Sequence, residues 1–170
     1  DVYKRQVLVI LESFTGHILD MPGVMPRLKA LSEEGIYFPH FYANSFRTDR
    51  GLVSILSGYP AQPTASVMKY PSKSQSLPAI ARSLRKAGYD TEMIYGGDAD
   101  FTNMRSYFYA TGYGRVMSCD DFTTEENSAR WGVPDHITFP RVEKEIARQT
   151  VRPFMKTFPV SYTHLTLPTT

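Results

Sequence analysis

Val7-Leu8-Val9-Ile10-Leu11-Glu12-Ser13-Phe14 is the stretch whose reading decides the fold. Its apolar run from Val7 to Leu11 is rich in β-branched residues and too short for an ordinary helix. Such a run, unbroken by polar residues, reads as a strand buried on both faces of a parallel sheet. Glu12 and Ser13 end it where a strand's carboxyl end meets solvent.

Working outward, the pattern alternates. Pro26-Arg27-Leu28-Lys29-Ala30-Leu31 puts Pro near a helix start, with Gly35 as the stop. Residues 36–41 are aromatic-rich and read as extended. Residues 48–56 suit a helix with Thr48 or Asp49 as N-cap. In 76–87, Leu77, Ile80, Ala81 and Leu84 recur at helical spacing and Gly88 closes the segment. Residues 91–95 read as a strand running into Gly96-Gly97-Asp98. Helices are expected over 102–111 and 142–149, and a strand over 151–158. Strands alternating with helices indicate an α/β domain with a mainly parallel sheet flanked by helices. In such sheets ligands bind off the carboxyl ends of the strands. Glu12 and the Gly96-Gly97-Asp98 loop both occupy that kind of position.

The two ends read differently from the middle. Back-translated as GAT-GTG-TAT-AAG-AGA-CAG, Asp1 to Gln6 has a reverse complement that encodes, in another frame, Val-Ser-Tyr-Thr-His. That is the sequence of Val160-Ser161-Tyr162-Thr163-His164. The ends are therefore expected to be one DNA adaptor element translated in opposite orientations. Residues 1–6 and 160–170 are set aside as scars, and 7–159 is the segment on which fold reasoning rests.

Composition excludes more than it identifies. A net charge of +2 with no basic stripe argues against nucleic acid as the main partner. Cys119 is the single cysteine, so no internal disulfide or cysteine-based zinc cluster can form. No apolar run approaches the ~20 residues that span a bilayer.

Two places carry candidate chemistry. Glu12, a carboxylate directly after a buried strand, suits a hard cation; a loop or capping carboxylate is the plainer reading of that residue alone. Asn44-Ser45-Phe46-Arg47-Thr48-Asp49-Arg50-Gly51 packs hydroxyls, two arginines and a carboxylate into the approach to a helix. Helix N-termini favour phosphate or sulfate, and a metal-activated threonine there is a nucleophile candidate. An N-cap threonine with solvated arginines explains the spacing equally well. His17, His40 and His136 read as solvated or structural, and Tyr107-Phe108-Tyr109 as core.

Val7 to Phe14, Met25 to Leu31, Gly35-Ile36-Tyr37-Phe38, and Phe41 to Gly51 with Ser54-Ile55-Leu56-Ser57-Gly58-Tyr59-Pro60 follow in an order that resembles the start of a sulfatase-superfamily catalytic domain. The branch is similar to lipoteichoic acid synthase and related phosphoglycerol transferases. The resemblance implies a sulfatase or alkaline-phosphatase-like α/β fold, here incomplete. It implies Glu12 as a metal ligand, and Thr48 as both metal ligand and catalytic nucleophile. Arg105, in Asp100-Phe101-Thr102-Asn103-Met104-Arg105, is implied as a substrate-binding residue whose guanidinium suits bidentate phosphate contact. Asn103 stands where the family often has an aromatic residue. The cofactor implied is a divalent metal, Mn²⁺ or else Mg²⁺.

The implied reaction is transfer of a phosphoglycerol-type group from a lipid- or glycan-linked phosphodiester. The implied place is the extracytoplasmic side of a bacterial membrane, reached through upstream helices. Hydrolysis of a phosphate or sulfate ester, or a non-catalytic sensing role, are the alternatives. The Cys/Ser-x-Pro-x-Arg signature of formylglycine sulfatases is missing, which disfavours that route to sulfate hydrolysis. The family's remaining ligands, an Asp-His pair and further histidines, are implied beyond Phe158, so the chain as it stands is expected to be inactive.

Overall fold

The computed structural model describes residues 4–149 and 152–160. Asp1 to Tyr3 and residues 161–170, most of the two expected scars, lie outside the described residues. The chain divides into two units, residues 1–12 with 44–170 and Ser13–Ala43.

The larger unit is built on a four-stranded, wholly parallel sheet in the order β1-β4-β2-β3. Its strands are β1 Arg5–Leu11, β2 Asp90–Ile94, β3 Arg115–Met117 and β4 Phe154–Val160. The smaller unit holds a short 3₁₀ turn, Gly16–Asp20, and α1, Pro26–Glu34. Residues 36–41 form no strand there. In the larger unit follow α2 Thr48–Ser57, α3 Pro71–Ser74, α4 Ile80–Lys86, α5 Met104–Ala110 and α6 Asp135–Arg148.

Register fixes what each face of the sheet presents. On one face Leu8 lies opposite Thr157, Thr157 opposite Met93, and Met93 opposite Val116. Against this row pack Leu52, Val53 and Leu56 of α2 and Tyr107 and Phe108 of α5, the main apolar core. Two buried hydroxyl pairs satisfy its polar atoms: Ser57 with Tyr107 at 2.5 Å and Tyr113 with Thr157 at 2.8 Å. Burial dominates both phenols and pushes them up, Tyr107 to about 12.

The opposite face carries two different rows under α6. Toward the carboxyl ends, Ile94, Met117 and Phe158 pack against Val142, and Phe139 stands edge-on to Phe158 at 4.8 Å between ring centres. One step back the row is charged, running Lys156, Glu92, Arg115 across β4, β2 and β3. Lys156 and Glu92 are both buried and hydrogen-bonded to each other. Arg115 Nη1 sits 2.8 Å from Glu92 Oε1 and 3.0 Å from Glu145 Oε2 of α6. Arg148 and Arg141 also reach Glu145, at 3.0 and 3.3 Å. The charges are thus paired across the sheet and onto the helix.

Several expectations shift. β1 is not buried on both faces: it ends the strand order, and Val7, Val9 and Leu11 remain 41–45% exposed on the α6 side. The helix expected over 76–87 begins only at Ile80, because Pro78 bars the helical conformation at Leu77. The last helix starts at Asp135 rather than 142. Pro140 inside it removes a single hydrogen bond, to the His136 carbonyl, and does not break it. The segment over 102–111 is a 3₁₀ turn, Phe101–Asn103, followed by α5, with Thr102 and Asn103 both at positive φ.

The buried pair makes a stability prediction. Glu92→Leu strands the Lys156 ammonium in the interior, and urea denaturation should show a loss of about 3–5 kcal/mol. Glu92→Leu with Lys156→Met should recover most of that loss. A single variant as stable as the parent would show that the pair bears no buried charge.

Candidate active site

Parallel strands place all their carboxyl ends on one edge of the sheet, and the candidate residues come from the loops there. β1 delivers Glu12 as the residue after Leu11. Thr48 opens α2, preceded by Arg47 in an extended conformation (φ −112°, ψ 133°) that makes Arg47, not Thr48, the N-cap. The backbone N–H groups of Arg50 and Gly51 bond to the Arg47 carbonyl and start the helix.

Thr48 does not cap its own helix. Its hydroxyl donates to Glu12 Oε2 at 3.0 Å, joining residues 36 apart in sequence. Among the described residues no side chain caps the α2 N-terminus, so the Thr48 and Asp49 N–H groups stay open at a positive dipole end. Asp49, buried beside Thr48, accepts from Arg47 Nε at 3.2 Å. Arg50 donates Nη1 to the Pro63 carbonyl at 2.7 Å. The arginines flanking Thr48 are therefore tied to protein rather than simply solvated.

Glu12 is the electrostatic centre. Its Oε1 is buried with no hydrogen-bond partner among the described residues. Burial is the main cause that raises its carboxyl above the usual range. The Thr48 hydrogen bond opposes this, and the charge of Asp135 adds to it. A desolvated carboxylate oxygen beside a hydroxyl is a pair of hard donors that fits a divalent cation of the Mn²⁺ or Mg²⁺ type. Glu12 and Thr48 would supply two oxygen ligands to such a cation. No cluster of three or more His, Cys, Asp or Glu among the described residues is arranged to hold a metal.

Asp135, the first residue of α6, is 1% exposed, and its charge reaches Glu12. It belongs to the turn Trp131-Gly132-Val133-Pro134-Asp135-His136. It is packed: Val133 N–H donates to the Gly96 carbonyl at 2.7 Å. A Cβ on Gly132 would lie 2.2 Å from that oxygen, and one on Gly96 would lie 2.9 Å from the Val133 carbonyl. Glycine at both positions lets the loop after β2 touch the entry to α6. His17, His40 and His136 are all exposed.

Arg105 is held elsewhere on the same edge. Its Nε donates to Asp100 Oδ1 at 2.8 Å and Nη2 to Asp100 Oδ2 at 3.0 Å. Nη2 also donates to Ser118 Oγ at 2.9 Å and Asp120 Oδ2 at 2.8 Å. The edge that suits bidentate phosphate contact is thus occupied by Asp100. The geometry brings Glu12 and Thr48 together and keeps Arg105 in a separate clamp, whose acidic partners sequence reasoning missed. Their only signal was a carboxylate five residues before the arginine and the Ser118–Asp121 capping box after β3.

Comparison with known proteins follows this geometry. The sulfatase family model matches residues 4–169. An alkaline phosphatase superfamily protein from Vibrio parahaemolyticus superposes with a TM-score of 0.84 at 29% identity, over 98% of this chain and 42% of its own. The lipoteichoic acid synthase LtaP from Listeria monocytogenes gives 0.79 at 19% identity, over 95% of this chain and 41% of its own. The Streptococcus pyogenes phosphoglycerol transferase GacH, in complex with sn-glycerol-1-phosphate, gives 0.58 at 14% identity, over 94% and 45%. The chain spans less than half the length of each of these structures. With a family model covering nearly its whole length and a parallel sheet of the alkaline-phosphatase-like kind, the chain belongs to the sulfatase family.

Proposed function

We propose that the protein transfers a phosphoryl-type group, of the phosphoglycerol kind, from a lipid- or glycan-linked phosphodiester, with Thr48 as nucleophile. The observation that carries this reading is the Thr48–Glu12 hydrogen bond beside the unpartnered Glu12 Oε1. The fold it shares with LtaP and GacH supports it. Work at a membrane surface on the extracytoplasmic side belongs to the same proposal. Among the described residues no helix is long and apolar enough to cross a membrane.

The chemistry follows from the residues. The Thr48 hydrogen points at Glu12 Oε2, which leaves the oxygen lone pairs for phosphorus. A divalent cation held by Glu12 and Thr48 supplies a lowered hydroxyl pKa and offsets charge on the phosphoryl oxygens. Thr48 Oγ1 forms a bond to phosphorus as the donor's P–O bond breaks, and the Thr48 proton passes to the departing alkoxide, giving a threonine phosphodiester and the free alcohol. An acceptor hydroxyl, or water, then attacks phosphorus and releases Thr48 with its proton. The uncapped first turn of α2 presents N–H groups to the same anionic centre. Water as acceptor makes the enzyme a phosphodiester hydrolase; an alcohol makes it a transferase.

In the protein as its source genome encodes it, Thr48→Ala should lower Mn²⁺-dependent turnover by about six orders of magnitude, the scale measured for a deleted nucleophile. Mass spectrometry of quenched wild type should find the added group on Thr48. Full turnover by Thr48→Ala would sink the reading.

Glu12 adds a pH prediction for the metal-free protein. Its folded pKa is raised, so between the unfolded and folded values the native state holds more proton than the unfolded chain. Stability from this group is complete below the unfolded value and lost as pH rises through the folded one. Glu12→Gln should therefore lose less melting temperature than wild type between about pH 4 and pH 7. With Mn²⁺ added at neutral pH the order should reverse, because only wild type gains from binding. Melting curves that move in parallel would refute it.

A further inference from the structure

Arg105 makes four side-chain hydrogen bonds on the sheet's carboxyl edge, and the proposed reaction has so far used none of its partners. It lies on α5 just after two consecutive non-glycine residues in the left-handed region, Thr102 (φ 54°) and Asn103 (φ 61°). That conformation costs energy and persists only where surroundings impose it. Here the Arg105 N–H bonds to the Ala99 carbonyl at 2.7 Å, and its guanidinium turns back onto Asp100. The same guanidinium reaches Ser118 and Asp120 after β3, while Cys119 N–H donates to the Gly97 carbonyl at 3.1 Å. The loops after β2 and β3 are thereby tied to each other through one side chain.

We propose that Asp100 and Asp120 are positioning residues for Arg105, fixing its guanidinium so that Nη1 alone is left to meet the anionic group of the substrate. The inference rests on the reading of this site as a phosphoryl-transfer centre. Nε has one hydrogen and Nη2 two, and these face Asp100, Ser118 and Asp120. Nη1 makes no hydrogen bond to the described residues. Ser118 is fully buried, accepts from Arg105 and donates to Asp120 at 3.1 Å, so it links the carboxylate to the arginine a second time. Paired carboxylates also hold Arg105 firmly charged. The Arg105 hydrogen bond in turn draws the Asp100 carboxyl below its usual range. A guanidinium clamped on one edge approaches a phosphoryl oxygen from one direction only, which selects substrate orientation rather than adding a second contact.

The test uses the protein as its genome encodes it, with Mn²⁺ and bis-para-nitrophenyl phosphate as probe. Asp100→Asn and Asp120→Asn should each raise KM about three- to tenfold, the scale of losing one partly exposed charge-assisted bond. Their kcat should stay within about twofold, the signature of lost ground-state positioning rather than lost chemistry. Asp120→Glu should restore KM, and in an Arg105→Ala background Asp100→Asn should add nothing further. Calorimetric affinity for inorganic phosphate should weaken by the same factor as KM, which keeps the test intact if the probe turns over slowly. Unchanged KM and phosphate affinity in both Asn variants, with Arg105→Ala impaired, would overturn the positioning role and leave the Thr48 reading standing. Effects that add to those of Arg105→Ala would also overturn it. Unimpaired turnover by Thr48→Ala would remove both.

Discussion

β4 lies between β1 and β2 and hydrogen-bonds to both in parallel, although β1 stands at the other end of the chain. Parallel pairing in register forces all four strands to finish on the same edge of the sheet. Glu12 after β1, the Gly96-Gly97 loop after β2 and the Ser118 turn after β3 are neighbours of one edge for that reason. Without β4 in the middle, β1 has no partner among the described strands and Glu12 has no fixed position for Thr48 to meet. Closing so long a loop is entropically expensive, and the residues that hold β4 in place are accordingly well buried. Phe154 through Phe158 are all nearly inaccessible.

One of those buried residues is a lysine, and its placement shows how the sheet reconciles charge with burial. Lys156 lies directly opposite Glu92, and Glu92 directly opposite Arg115, so the register that aligns the strands also aligns alternating charges. Glu145 on α6 completes the set from above. A slip of one residue in any strand would turn a charge into the apolar core under α2 and α5. The charged row therefore penalises wrong registers more than it stabilises the right one.

Alternation of strands and helices and the parallel sheet were legible because each rests on local signals, whereas Glu12 and Thr48 stood out only through the order of segments that resembles the sulfatase superfamily. An apolar run with a polar stop and a Thr-Asp pair before an apolar helix face are such local signals. The exposure of Val7, Val9 and Leu11 was not legible, because a five-residue apolar run looks the same at the end of a sheet as at its centre. The late start of α4 was written in Pro78 and outweighed by the periodicity around it. The Arg105 clamp escaped because its acceptors sit on two different loops, which only the tertiary structure brings together. Asp135 escaped for the same reason: nothing in the order of residues 131–136 says that this turn docks against Gly96.

Thr48 shows why the site reads as functional rather than merely structural. A threonine at a helix start ordinarily accepts a hydrogen bond from its own first turn, an arrangement worth about 1 kcal/mol. Shifted one residue into the helix, Thr48 instead donates to Glu12. Two local preferences are thereby broken together among the described residues: α2 begins without a side-chain cap, and Glu12 keeps one carboxylate oxygen buried without a partner. A fold selected only for stability would satisfy the helix start with a small change, such as serine at position 47. Departures from local rules that cluster within one hydrogen bond of each other support the cation and anion site proposed at Glu12 and Thr48.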